Sequence, residues 1–179
     1  MYGCVGGFKD LPGVLADYAL ADARLLAKKP ANLSMVEASA LPLVTITAWN
    51  ALMDRAKVSE DQKVLVHAAA GGVGHVALQL AKAGGAEVHV TASTEEKIAL
   101  GKELGADVGI NYKTEDVAAR FQELCPAGID VYWDNVGGPV TDAAMDQIAI
   151  NGCAVICGQI ALYNATSPPQ GPRNISSGR

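Results

Sequence analysis

The chain has 179 residues, of which 50% are hydrophobic and 18% charged, with a formal net charge of −5. That is enough apolar side chain to bury a core without disulfide or metal staples, and it excludes a disordered or low-complexity protein. There is no cationic excess to release counterions from phosphate, which argues against nucleic acid as a partner.

Only 5% of residues are aromatic, so a core must come mainly from Val, Ile, Leu and Ala. Such a composition suits a parallel sheet covered by helices. No apolar run approaches the roughly 20 residues needed to span a bilayer, so no membrane is expected. The first residues, Met1-Tyr2-Gly3-Cys4-Val5-Gly6-Gly7, lack the basic-then-apolar shape of a signal peptide. Cys4, Cys125, Cys153 and Cys157 are too scattered for a disulfide framework, and a reducing, cytoplasmic setting is expected. Cys153-Ala154-Val155-Ile156-Cys157 reads as a buried strand with both sulfurs on one face, hence structural thiols.

Taken in chain order, Gly13 to Leu20 looks like a strand of a separate sheet. Ser34 and Glu37 form a capping box that opens a helix broken near Pro42, and a further helix runs from about Thr45 to Arg55. From Lys63 onward the pattern is rhythmic. Lys63 to His67 is a β-branched strand, followed by a helix from about Gly72 to Ala83 that Gly84-Gly85 stops. Glu87 to Ala92 is the second strand. The next helix runs from about Thr94 to Leu104, with Ser93 and Glu96 as its capping box. Asp107 to Ile110 is the third strand, and Thr114-Glu115-Asp116 opens a helix that ends before Pro126. Gly128 to Trp133 is the fourth strand, Pro139 to about Ile150 its helix, and Gly152 to Gly158 the fifth strand. From Asn164 the chain reads as loop. Strands and helices that alternate in this way require parallel pairing and right-handed crossovers, which predicts an α/β doubly wound sheet.

Between the first strand and its helix lies Ala68-Ala69-Ala70-Gly71-Gly72-Val73-Gly74. Ala69, Gly71 and Gly74 take the three small-residue positions of a dinucleotide fingerprint, with Gly72 and Val73 inside it. Small residues let backbone N–H groups approach a pyrophosphate at the helix N-terminus. The match follows a strand and opens a helix, the context that such a motif needs. An NAD site places an Asp or Glu at the end of the second strand to bind the ribose 2′-hydroxyl. Here the residues are Thr91, Ala92 and Ser93, which leaves room for a 2′-phosphate that Lys97 and Ser93 can reach. NADP is therefore favoured over NAD. Against it stand Glu95 and Glu96, which also suit a helix's first turn, and Ser93 and Lys97 have ordinary readings as a cap and a solvated lysine.

These residues resemble the medium-chain dehydrogenase/reductase superfamily and, within it, the zinc-independent quinone oxidoreductases and the prostaglandin, curcumin and alkenal reductases. The resemblance rests on Thr45-Ile46-Thr47-Ala48-Trp49, Ala69 to Gly74, Ile110-Asn111-Tyr112-Lys113, Asp134-Asn135-Val136-Gly137-Gly138 and Cys157-Gly158-Gln159-Ile160-Ala161-Leu162-Tyr163-Asn164. It implies that Lys97 and Tyr112 hold the adenosine 2′-phosphate and that Thr47 sits near the nicotinamide end. Asn135, Gly158 and Gln159 would line the cofactor groove. Tyr163 would be catalytic, approaching the nicotinamide ribose and polarising the substrate carbonyl. Plain packing roles for Tyr112 and Tyr163 stay open.

The resemblance further implies a partial GroES-like catalytic-domain segment at residues 1–44, an NADP-binding Rossmann domain with five of the usual six strands at 45–164, and a loop or tail at 165–179. A fifth strand without a sixth would be an open edge. The implied reaction carries hydride from NADPH to a quinone or an α,β-unsaturated carbonyl, as a homodimer or otherwise. Zinc alcohol dehydrogenases of the superfamily carry a ligand cysteine where this chain has Leu43, and His67, His75 and His89 do not cluster with cysteines at ligand spacing, so no metal is expected. Two alternatives remain: a relative of the zinc-type alcohol dehydrogenases, and an NADP-binding module without turnover.

Overall fold

In the computed structural model, which describes residues 1–6 and 13–167, the contacts divide the chain into two units, Met1–Ile46 and Thr47–Arg179. In the first unit, β1 (Tyr2–Gly3) pairs antiparallel with β2 (Leu26–Ala27). Helix α1 (Met35–Ser39) opens with the expected capping box, Ser34 accepting from the Glu37 N–H and Glu37 accepting from the Ser34 N–H. Gly13 to Leu20 is not a strand. Leu15, Tyr18 and Leu20 are fully exposed there, because an apolar stretch becomes a strand only where a neighbour offers a hydrogen-bonding edge. The helical break falls at Ala40, ahead of Pro42, and α2 runs Leu41–Trp49 with the proline in its first turn, where no N–H is missed. A wider π-helical turn, Asn50–Arg55, follows.

The second unit is the doubly wound sheet. Its elements are β3 (Lys63–His67), α3 (Gly74–Ala83), β4 (Glu87–Ala92), α4 (Glu95–Glu103), β5 (Val108–Asn111), α5 (Val117–Leu124), β6 (Ile129–Asp134), α6 (Pro139–Asp146) and β7 (Ile148–Ile156). The strands lie parallel in the order β5-β4-β3-β6-β7. Central β3 pairs on both sides, Val64 with Val88 and Val131, Val66 with Val90 and Trp133. It is covered on both faces, which is why its sequence is a continuous apolar run. Leu65, Ile110, Phe121, Tyr132, Val140 and Ala144 form one apolar cluster beneath α5 and α6. No helix among the described residues is long and apolar enough to cross a membrane.

The last helix and strand depart from the expected boundary. Helix α6 stops at Asp146, and Ile148 to Ile150 belong to β7. Two hydrogen bonds pull this stretch onto the sheet: Gln147 Nε2 donates to the Cys125 carbonyl at 2.7 Å, and the Ile129 N–H donates to the Gln147 carbonyl at 2.8 Å. The β6–β7 register then shifts between Ile129 and Val131, at a bulge where Asn151 adopts a φ of +64°. Among the described residues β7 pairs on one side only, so Cys153 is half-buried rather than buried, and Cys157 lies exposed past the strand's end. The loop expected from Asn164 is turn and bend as far as residue 167, and the rest of it lies outside the described residues.

At the amino end of the sheet a polar chain links β3 and β4 to the end of α5. Lys63 Nζ meets Glu87 at 2.7 Å, Glu87 Oε1 meets His89 Nε2 at 2.7 Å, and His89 Nδ1 lies 3.5 Å from the buried Cys125 thiol. Lys63, and then His89, hold the Glu87 carboxyl below its ordinary value. Stability from a carboxylate depressed in the fold is present above its unfolded pKa of about 4.3 and is lost as pH falls through the folded value. Glu87→Gln should therefore cost less than about 1 kcal/mol at neutral pH, the pair being partly solvated. Urea titrations of both proteins should converge below about pH 4, and a constant difference would assign the effect to packing.

Candidate functional site

After His67 the backbone reverses at Ala68, which takes a φ of +57°, a left-handed conformation rare outside glycine. The Gly71 N–H closes the turn on the Ala68 carbonyl at 2.9 Å. Helix α3 then begins at Gly74, and no side chain caps its start at Val73; the His75 N–H donates to the Gly71 carbonyl at 3.0 Å, while the Gly72, Val73 and Gly74 amides make no backbone hydrogen bond among the described residues. A Cβ at position 74 would stand 2.4 Å from the Ala68 carbonyl oxygen, against 3.2 Å for one at position 71. Gly74 lets the helix close onto the turn, whereas Gly71 and Gly72 are exposed backbone at the mouth. Ala69 is buried beneath them.

Beside this turn lies a cleft of about 170 Å³ lined by Ala68, Ala70, Gly71, Ala92, Ser93, Lys97 and Tyr112. The structure thus gathers four of the expected residues, Gly71, Ser93, Lys97 and Tyr112, from the turn after β3, the start of α4 and the end of β5. The helix cap differs from expectation. Thr94, extended at φ −147° and ψ 155°, accepts from the Lys97 N–H, so Ser93 is not spent on capping. The Ser93 hydroxyl instead sits 3.4 Å from Lys97 Nζ. The acid that competes for this position is also occupied: Glu95 accepts from Asn111 Nδ2 at 2.7 Å. No carboxylate lines the cleft.

Tyr112 is shared with a second cavity, of about 390 Å³, whose walls are largely apolar: His67, Val117, Val136, Pro139, Val140 and Ala161, with Gly137 and Lys113 at its margin. Sequence reading missed Val117, Pro139 and Val140 as site residues, since at helix starts they read as ordinary core. The cavity owes its shape to Asp134, almost wholly buried at the end of β6. Asp134 Oδ1 accepts from the Val136 and Gly137 amides at 2.8 and 2.9 Å, and Oδ2 from the Thr141 hydroxyl at 2.6 Å. Thr141 in turn meets the Tyr132 phenol at 2.9 Å. Desolvation, with Asp134 close by, pushes that phenol far above its usual pKa and keeps it protonated.

Asn135, Gly158 and Gln159 are brought together at the ends of β6 and β7. The Cys157 and Gly158 amides donate to the Asp134 carbonyl at 2.8 and 3.3 Å, and the Ile160 amide donates to that of Asn135 at 3.4 Å. A Cβ at Gly158 would lie 3.1 Å from the Asn135 carbonyl, so glycine permits the two loops to touch. Tyr163 follows a 3₁₀ turn, Ile160–Leu162, and is 72% exposed. Thr47 is half-buried on α2. Neither residue lines the two cavities described. Leu43 is half-exposed on α2, and among the described residues no three His, Cys, Asp or Glu side chains converge to hold a metal ion.

Three substitutions test this geometry. Gly74→Ala should destabilise the fold by about 1–3 kcal/mol through the clash with Ala68, while Gly71→Ala should cost well under half as much in the same urea titration. Asp134→Asn replaces an acceptor with a donor facing groups that already donate, and should cost about 1–3 kcal/mol. An unchanged midpoint for either Gly74→Ala or Asp134→Asn would contradict the contacts described.

Residues 72–173 match the family model described as zinc-binding dehydrogenase. Prostaglandin reductase 1 of Mus musculus is 44% identical over 129 residues, which is 71% of this chain and 39% of that protein. The crystal structure of an alcohol dehydrogenase superfamily protein from Novosphingobium aromaticivorans superimposes with a TM-score of 0.81 at 40% identity, covering 95% of this chain and 49% of that one. That of CurA in complex with NADPH from Vibrio vulnificus gives 0.72 at 36% identity, over 83% and 45% respectively. The chain therefore spans less than half the length of these relatives. Sheet order, glycine turn and sequence agree: the chain belongs to the zinc-binding dehydrogenase family, on the zinc-independent medium-chain dehydrogenase/reductase branch whose members are named quinone oxidoreductases and prostaglandin reductases.

Proposed function

We propose that the chain forms the cofactor-binding part of an NADPH-dependent oxidoreductase that transfers hydride to a quinone or an α,β-unsaturated carbonyl. The observation that carries this reading is the cleft beside the glycine turn, which presents Ser93, Lys97 and Tyr112 and no carboxylate. A 2′-phosphate needs a cation and hydroxyl donors and is repelled by an acid, so this lining suits NADPH rather than NADH. CurA, a structural neighbour, was solved with NADPH bound.

On this reading the amides at Gly72, Val73 and Gly74 receive the pyrophosphate at the start of α3, with the Gly71 turn held closed on Ala68 and Ala69 packed beneath them. The apolar cavity behind Tyr112 takes the adenine ring, whose flat apolar faces suit Val117, Val136 and Val140. Asn135, Gly158, Gln159 and Thr47 line the nicotinamide half. When bound, the cofactor supplies the hydride. Tyr163 Oη holds a proton near the substrate oxygen, where negative charge develops as the conjugated system is reduced. A cytoplasmic setting accompanies this reading and agrees with the four free thiols.

Calorimetric titration of the chain with NADPH and NADH tests the cofactor assignment, with NADPH expected to bind at least tenfold tighter. Lys97→Glu should weaken NADPH by more than tenfold, about 1.4 kcal/mol or above, and change NADH by less than about twofold. Equal losses for the two cofactors would show that Lys97 does not read the phosphate. For the substrate, NADPH consumption is followed at its absorbance band with a quinone and with a conjugated enone. The absence of turnover with both would remove the substrate half of the reading.

A further inference from the structure

His67 has so far been only a wall of the apolar cavity, yet it also stands against Tyr112, which the cavity shares with the cleft. It is the last residue of β3 and is 2% exposed. Its Nδ1 is hydrogen-bonded to the buried Thr91 hydroxyl at 2.6 Å, which fixes the ring against β4. Its ring then meets that of Tyr112 nearly at right angles, with centroids 5.5 Å apart and planes at 78°. Tyr112 is the wall between the two cavities; it also packs against the apolar cluster beneath α5 and α6, and Lys113 Nζ lies 5.8 Å from its ring centroid. His67 meets it with a ring that Thr91 holds fixed. Burial lowers the pKa of His67, with the nearby Asp134 charge acting in the opposite sense, so the ring is held neutral at pH 7. Any effect on a bound phosphate must then pass through position rather than charge.

We propose that His67 is a positioning residue for cofactor selectivity: anchored by Thr91, it holds the Tyr112 ring in the orientation that presents its hydroxyl to an adenosine 2′-phosphate. The proposal rests on the phosphate-site reading above and adds a residue that lines the apolar cavity but is absent from the cleft where the phosphate would sit. Perpendicular aromatic pairs contribute enough to shift affinity by about fivefold. The coupling acts only on the group that Tyr112 contacts, so it separates NADPH from NADH. A residue serving stability alone would weaken both cofactors together.

The test is titration of the chain and its variants with NADPH and with NADH, each variant first checked for a cooperative thermal transition. His67→Leu removes the ring and should weaken NADPH by about fivefold and NADH by less than about twofold. His67→Gln keeps a polar partner for Thr91 without the ring, and should lower the discrimination as His67→Leu does. His67→Phe keeps the ring and should retain most of the discrimination. If His67→Leu does not fold, the contrast between the Gln and Phe variants answers the same question. In a Tyr112→Ala background, removing the His67 ring should have no further effect on the NADPH-to-NADH ratio. Equal losses on both cofactors, an unchanged ratio in the Gln variant, or full additivity with Tyr112→Ala would each overturn the proposal. A parent chain that does not prefer NADPH would overturn the phosphate-site reading itself. A parental preference that survives every His67 variant overturns only the role of His67.

Discussion

The ligand edge of this molecule depends on the reversal of strand order at β3. From β3 the chain crosses by α3 to β4 on one side, while β6 returns on the other side, and their loops leave toward opposite faces of the sheet. A crevice must open where the loops diverge. The position of β3 is enforced from within, since Val64, Leu65 and Val66 are almost wholly buried and pair with Val88, His89 and Val90 on one side and Val131, Tyr132 and Trp133 on the other. The turn after it is then under a tight steric condition. Ala68 must take a left-handed backbone, and Gly74 must lack a Cβ, for the helix start to reach the crevice.

The two walls of the crevice are built by different physical means. On the α3 and α4 side, small residues and exposed backbone make room, and a single cation, Lys97, stands at the rim. On the α5 and α6 side, a buried carboxylate organises the loop. Asp134 would be costly in the interior alone, but two amides and a hydroxyl donate to it, and the same contacts fix Val136 and Gly137 as cavity wall. Tyr112 belongs to both walls, and His67 ties it back to Thr91 on β4. A charge-reading rim and an apolar slot thus share one aromatic partition.

Much of this was legible from Lys63 onward because the signals are local. Continuous β-branched runs, apolar helical spacing and terminating glycines each act within a few residues, and the strands and helices fall where they point. The misreadings have equally definite causes. Gly13 to Leu20 looks like a strand, but strand formation needs an edge, and among the described residues none pairs with this stretch. The end of α6 was set too late because Gln147 is drawn to the Cys125 carbonyl, a partner on another element. Ser93 looked like the cap because it stands at the right spacing from Glu96. The extended backbone at Thr94 gave the cap to its neighbour and released the Ser93 hydroxyl.

The sequence by itself determined the alternation of strands and helices, the glycine turn, and the absence of an acid at the end of β4. Each is a property of contiguous residues, governed by steric freedom, period and charge. Only the tertiary structure decided that Ser93, Lys97 and Tyr112 share a cleft with Gly71, that Asp134 is buried and satisfied, and that His67 stands behind Tyr112. Those facts join residues from different strands, and the packing of helices on both faces of a twisted sheet sets which of them meet.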